Sequence, residues 1–135
     1  MSIITRPIQV SQQAGVVSLL LNRPECRNAL SLELLEELGK ALSTEVGEDT
    51  VAVIIGGVDG SFSAGADLAE LSGTPADLAI DQAIEAVTGK ILELPVPVIA
   101  AIDGPCLGGA VDLALSCDQR IASANAIFQV PAARL

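Results

Sequence analysis

The sequence predicts an α/β protein, and three observations carry that prediction. Two short β-branched runs, VAVIIGG at 51–57 and VIAAI at 98–102, each lead through a small-residue turn toward a helix start. Two other segments repeat apolar residues at spacings of three and four, the period of a helix lying on a core. No linker, low-complexity stretch or second domain divides the 135 residues. Alternating strand and helix favours layers of α on β over a bundle or a sandwich. A chain of this length forms one domain and buries about two-thirds of its unfolded surface.

In chain order, residues 8–11 and 15–21 (GVVSLLL) predict two strands around a turn at Gln12 to Gly15, and NRPECRN after them is a polar loop. Leu32, Leu35, Leu38, Leu42 and Val46 then form the stripe of an amphipathic helix, with Ser31 as N-cap and Glu33 facing the positive end of the helix dipole. The run at 51–57 reads as a strand buried on both faces. VDGSFSAGADL after it turns toward a short helix. Thr74, Pro75 and Asp77 start a second amphipathic helix, with its stripe at Ile80, Ile84, Val87, Ile91 and Leu94 and its end at Pro95 and Pro97. VIAAI is another strand expected to be buried on both faces. GPCLGGAVDLALSC follows as a turn and helix, and QRIAS (119–123) and AIFQV (126–130) are short strands.

Composition removes several function classes. The net charge is −10, and Phe62 and Phe128 are the only aromatics, so the chain offers nucleic acid neither a basic footprint nor stacking platforms. No histidine is present, which excludes Ser–His and Cys–His catalysis within the chain and leaves proton transfer near neutral pH to carboxylates. Cys26, Cys106 and Cys117 are odd in number and lack CxxC spacing, so they read as small buried hydrophobes rather than a disulfide framework or a metal site. No apolar run approaches the roughly 18 residues of a membrane span, and MSIITRPIQV has no hydrophobic signal core, so a cytoplasmic protein with no membrane partner is expected. The hydrophobic share is 50% before the 12 glycines are added, so some of this surface expects a cover.

Two stretches could carry chemistry. Around the helix at 108–117, Leu107, Val111, Leu113, Ala114 and Leu115 are spread nearly all round, which predicts burial on most faces and places Asp112 in an apolar setting. Burial raises a carboxylate's pKa into the range useful for moving protons; the alternative is a helix-start aspartate satisfied by nearby N–H groups. Gly108 and Gly109 either let the helix approach a strand closely or leave N–H groups open to an anion or oxyanion. FSAGADL at 62–68 repeats the design, since Ala64, Gly65 and Ala66 leave backbone N–H groups unobstructed. Neither stretch contains GxGxxG or GxxxxGK, so dinucleotide and P-loop readings lack their phosphate cradle.

Taken in order and spacing, LNRPECRNAL (21–30), FSAGADL (62–68) and PVIAAIDGPCLGGAVDLALSCDQRIAS (97–123) resemble the crotonase superfamily, the enoyl-CoA hydratase/isomerase family. The resemblance runs from about Val16 to the last residue. It implies a spiral core of repeated ββα units. The family's helical C-terminal region, which helps assemble trimers or hexamers, has no counterpart in residues 1–135, so a single, truncated domain is expected, with self-association or a second polypeptide as its partner. It further implies an acyl-CoA or enoyl-CoA ligand, CoA being part of the substrate, with no separate cofactor and no metal. The backbone N–H groups of Ala66 and Gly109 correspond to an oxyanion hole. Ala64, Ala66, Asp67 and Leu68 match the wall of the CoA pocket, and Arg27, with Arg23, matches the loop that meets CoA phosphates; a solvated basic pair is the alternative for these two arginines. Asp112 stands where family hydratases carry glutamate, and Ala132 falls at the position of their second glutamate. The expected function is therefore hydratase or isomerase chemistry on a thioester enolate, or else non-catalytic acyl-CoA binding or a subunit role.

Overall fold

Residues 8–21 alternate in burial because one face of their hairpin lies on the core. In the computed structural model, which describes residues 5–130, β1 (Ile8–Gln13) and β2 (Val16–Leu21) pair antiparallel, with Ile8 opposite Leu21. Ala14 and Gly15 close the turn, both at positive φ (51° and 82°), the geometry that matches the twist of a tight hairpin. β2 next pairs in parallel with β3 (Ala52–Gly57), β3 with β4 (Val98–Ile102), and β4 with β6 (Gln119–Ala122), giving the sheet order β1-β2-β3-β4-β6.

Parallel neighbours need a crossover, and each crossover here contains a helix. These are α1 (Leu32–Thr44), α2 (Leu78–Glu93) and α3 (Gly109–Ser116), packed α1 on α2 and α2 on α3. The Ser31 hydroxyl caps α1 by accepting from Leu34 N at 3.1 Å, and Leu34, Leu35, Leu38 and Leu42 are buried. A 3-10 turn at Pro75–Asp77, capped by Thr74, leads into α2, which buries Ile80, Ile84, Val87 and Ile91. These side chains meet Val17, Leu19, Leu21, Val53, Ile55, Val98, Ala100 and Ile102 of the sheet to form the core.

Three expectations need correction. β3 and β4 are not buried on both faces: Val53, Ile55, Val98 and Ala100 are fully enclosed, but Ile54 and Ile99 are half-buried and Ala101 is exposed. The helices cover one face, and a β-branched run does not reveal how many faces are covered. α3 is likewise not buried nearly all round. Ala110, Leu113 and Ala114 point inward, while Asp112 and Leu115 are exposed. Finally, the approach to α3 is more than a turn, because β5 (Pro105–Leu107) pairs in parallel with β7 (Ile127–Gln129) as a separate two-stranded sheet.

Candidate active site

Two loop segments lie side by side where β3 and β4 give out onto their connections. Ser63 and Cys106 form a parallel bridge, closed by Ser63 N donating to Pro105 O at 3.0 Å and Leu107 N donating to Ser63 O at 3.1 Å. Three residues further along each segment stand Ala66 and Gly109. Gly65 (φ +87°) and Gly108 (φ +55°) precede them, near enough that a Cβ on Gly65 would lie 3.6 Å from the Gly108 Cα. A Cβ on Gly65 would lie 2.6 Å from Leu107 O, so the close approach requires glycine there. Gly108 is the N-cap residue of α3, and its N–H donates to Gln129 O at 2.8 Å. Among the described residues, neither the Ala66 nor the Gly109 N–H has a hydrogen-bond acceptor. Both residues are half-buried.

The direction of the Ala66 amide is fixed by its neighbours. Leu30 N donates to Gly65 O at 2.7 Å and Asp67 N donates to Leu30 O at 3.0 Å. A trans peptide points its N–H opposite its C=O, so anchoring Gly65 O toward Leu30 turns the Ala66 N–H away from it. Upstream, the Ser63 hydroxyl donates to Asn28 O at 2.7 Å and accepts from Gly65 N at 3.1 Å.

Asn28 is the residue that sequence reasoning missed. It is fully buried at φ 57°, its Oδ1 accepts from Arg23 N at 2.8 Å, and its Nδ2 donates to Val58 O at 3.1 Å and Ser61 O at 2.9 Å. It thereby ties the 23–28 loop to the turn after β3. The available signal was an asparagine at the end of a polar loop, the residue type that tolerates a left-handed backbone.

Arg23 is not solvated. Its Nη2 meets Asp67 Oδ2 at 3.0 Å and its Nη1 donates to Ala29 O at 2.8 Å, and the two side chains of the ion pair are only 24% and 12% exposed. Burial opposes the guanidinium charge, but the Asp67 hydrogen bond and neighbouring charges outweigh it and raise the Arg23 pKa overall. Asp67 Oδ1 also accepts from Ala69 N at 3.0 Å, starting the 3-10 turn Leu68–Glu70. Arg27, in contrast, is exposed in a left-handed conformation (φ 54°), and its carbonyl accepts from Ala64 N at 2.9 Å. Its guanidinium has no ion-pair partner among the described residues. Ala64 is half-buried and Leu68 is 81% exposed.

Asp112 departs furthest from expectation. It is exposed rather than enclosed in an apolar setting. It lines a groove of about 460 Å³ between α2 and α3, with Ile84, Glu85, Thr88, Leu92 and Leu115. Ile84 also lies against the start of α3, its Cδ1 being 2.6 Å from where a Cβ on Gly109 would stand. A second groove, between α1 and α2, is of similar size but none of the site residues line it. Ala132 lies outside the described residues. Among those residues, no group of three His, Cys, Asp or Glu side chains is placed to hold a metal ion, and no helix is long and apolar enough to cross a membrane.

A family model for enoyl-CoA hydratase/isomerase matches residues 11–135. The chain belongs to that family. Among its hydratase/isomerase relatives, the mouse mitochondrial enoyl-CoA hydratase domain-containing protein 2 is 38% identical over 135 residues, covering 92% of this chain and 45% of that protein. Human mitochondrial methylglutaconyl-CoA hydratase is 42% identical over 120 residues, covering 85% of this chain and 35% of that protein. The solved structure of human enoyl-CoA hydratase domain-containing protein 3 superposes with a TM-score of 0.88 at 32% identity, over 96% of this chain and 53% of the other. The enoyl-CoA hydratase of Bacillus anthracis gives 0.85 at 37% identity, over 95% and 52%. The fold is thus the crotonase fold of the family, and the chain spans about half the length, or less, of these relatives.

Proposed function

We propose that this chain binds acyl-CoA thioesters and grips the thioester carbonyl oxygen with the Ala66 and Gly109 amides, in support of enoyl-CoA hydratase/isomerase chemistry. What supports the reading is that the Ala66 and Gly109 N–H groups have no acceptor among the described residues and stand the same three residues beyond the two sides of the Ser63–Cys106 bridge. Such donors stabilise the charge that develops on the oxygen as a thioester becomes enolate-like, and the positive end of α3 adds to them. Ala64, Asp67 and Leu68 form the wall along which CoA runs, and Arg27 supplies an exposed cation for its phosphates. CoA enters as part of the substrate, with no other cofactor assigned.

Asp112 is the carboxylate assigned to move the proton, at the mouth of the α2–α3 groove. A second reading is binding without turnover. It is favoured by the exposure of Asp112 and by alanine at position 132, which leave the matched positions with one solvated carboxylate where a hydratase divides the work between two.

Calorimetric titration with a saturated acyl-CoA and with NAD tests the ligand class, and binding of NAD but not the thioester contradicts it. Gly109→Pro removes one amide at a helix position that tolerates proline, so the thioester signal should disappear. Gly109→Ala brings in the same Cβ against Ile84 but keeps the N–H, and should retain most of it. Equal losses in the two variants would assign the effect to packing and contradict the amide's role. For turnover, hydration of a short enoyl-CoA is expected to be far below an ordinary enzyme rate of about 1–1000 per second. Whatever proton transfer the chain performs should vanish in Asp112→Asn; activity that survives means another group acts.

A further inference from the structure

We propose that Arg23 is a positioning residue, which staples the two sides of the Leu30–Ala66 bridge through Asp67 and so aims the Ala66 amide, and that it is not a ligand of CoA phosphates. The inference rests on the reading above that this amide grips the thioester carbonyl. The bridge is isolated, held by two main-chain hydrogen bonds at 2.7 and 3.0 Å, and Gly65 within it has no Cβ to limit its backbone. One guanidinium spans it. Nη1 holds Ala29 O, on the peptide leading into Leu30, and Nη2 holds the Asp67 carboxylate, one residue beyond Ala66. A planar, always-charged fork suits this task, because both bonds set the angle between the segments. Each Nη thus spends one N–H on the protein, and a phosphate approaching the Nη2 edge would compete with the Asp67 carboxylate for the guanidinium. Arg27 has no such commitment.

Three ligands separate the roles: free CoA, a saturated acyl-CoA thioester, and the S-alkyl-CoA thioether in which a methylene replaces the carbonyl. The chain should prefer thioester to thioether by about fivefold or more, the effect of about one hydrogen bond. Arg23→Gln should reduce that ratio toward one while changing the affinity for free CoA less than about twofold; Arg27→Gln should weaken all three ligands alike. An Arg23 variant that loses free CoA as Arg27→Gln does, or that keeps the full ratio, overturns the proposal. Asp67→Asn keeps an oxygen for Ala69 N but removes the charge, and should likewise bring the thioester-to-thioether ratio toward one, a ratio in which any change in contact with the CoA moiety cancels; it carries the test if Arg23→Gln does not fold. In the unsubstituted chain, the Arg23 guanidinium resonances should not move when CoA is added, and a shift matching that of Arg27 contradicts the assignment. An unsubstituted chain with no thioester preference sinks the carbonyl-grip reading instead. The staple is then read from amide exchange at Leu30 and Asp67, which should quicken at least about tenfold in Asp67→Asn; unchanged rates overturn it.

Discussion

Asn28 does more for the shape of the site than any residue with an assigned chemical role. Its side chain makes three bonds inside a fully buried space, so Asn28→Ala leaves the Val58 and Ser61 carbonyls and the Arg23 N–H without their partner. Urea unfolding should show a loss of about 2–3 kcal/mol, the cost of stranding buried polar groups; a loss below about 0.5 kcal/mol would mean that water replaces the side chain. The cysteines give a second test at this scale. Burial pushes the Cys106 and Cys117 thiols up from the usual 9.0 to about 11. The folded chain therefore keeps these protons where the unfolded chain begins to release them. The resulting stability is complete below about pH 9 and is lost as pH rises toward about 11. The urea midpoint should fall between about pH 8 and about pH 10.5, and replacing both cysteines with alanine should reduce that fall. At about pH 8, alkylation should reach half-buried Cys26 well before the two enclosed thiols.

Among the elements, those whose signal is local were legible and those defined by a partner were not. α1 and α2 announce themselves through Ser31, Thr74 and their apolar stripes; Leu35, Leu38 and Leu42 are buried as the spacing predicts, while Leu34, outside that stripe, is buried too and Leu32 only in part. Ser31→Ala should cost about 1 kcal/mol, read as a lower melting temperature, because Leu34 N loses its acceptor; an unchanged melting temperature would show that water caps α1 equally well. β2, β3 and β4 were equally legible as strands, but the number of faces each buries depends on helices elsewhere in the chain. β5 escaped detection because Pro105, Cys106 and Leu107 become a strand only by pairing with β7, about twenty residues later. The burial of Asp112 was misjudged for a similar reason. Apolar residues all round α3 set its average hydropathy, whereas the exposed side is decided by where α2 stops covering it. At the site, the motifs pointed to Ala66 and Gly109, but the Arg23–Asp67 pair joins residues 44 apart and no local pattern announces it.

At the scale of the molecule, two properties pull in opposite directions. A net charge of −10 keeps copies apart, while Ala101 on β4 and its register partner Ile121 on β6 leave apolar surface on the sheet, and Ile127, Phe128 and Val130 at and beside β7 are exposed as well. Charge repulsion is screened beyond about 8 Å at physiological salt, and burial of apolar surface returns about 25 cal/mol per Å², so association should win. Light scattering during size exclusion should show self-association that strengthens from low to physiological salt; a cooperatively melting monomer at both salts would contradict this. The proposed grip on the ligand is also a property of the whole, because its two amides come from separate crossovers of the sheet. Its decisive test is the carbonyl stretching frequency of a saturated acyl-CoA labelled with carbon-13 at the thioester carbonyl, measured by infrared difference spectroscopy on the bound ligand. Two aligned donors should lower that frequency relative to the thioester free in water, and Gly109→Pro should reverse most of the shift; a bound thioester whose carbonyl vibrates as it does in water would contradict the assignment of Ala66 and Gly109.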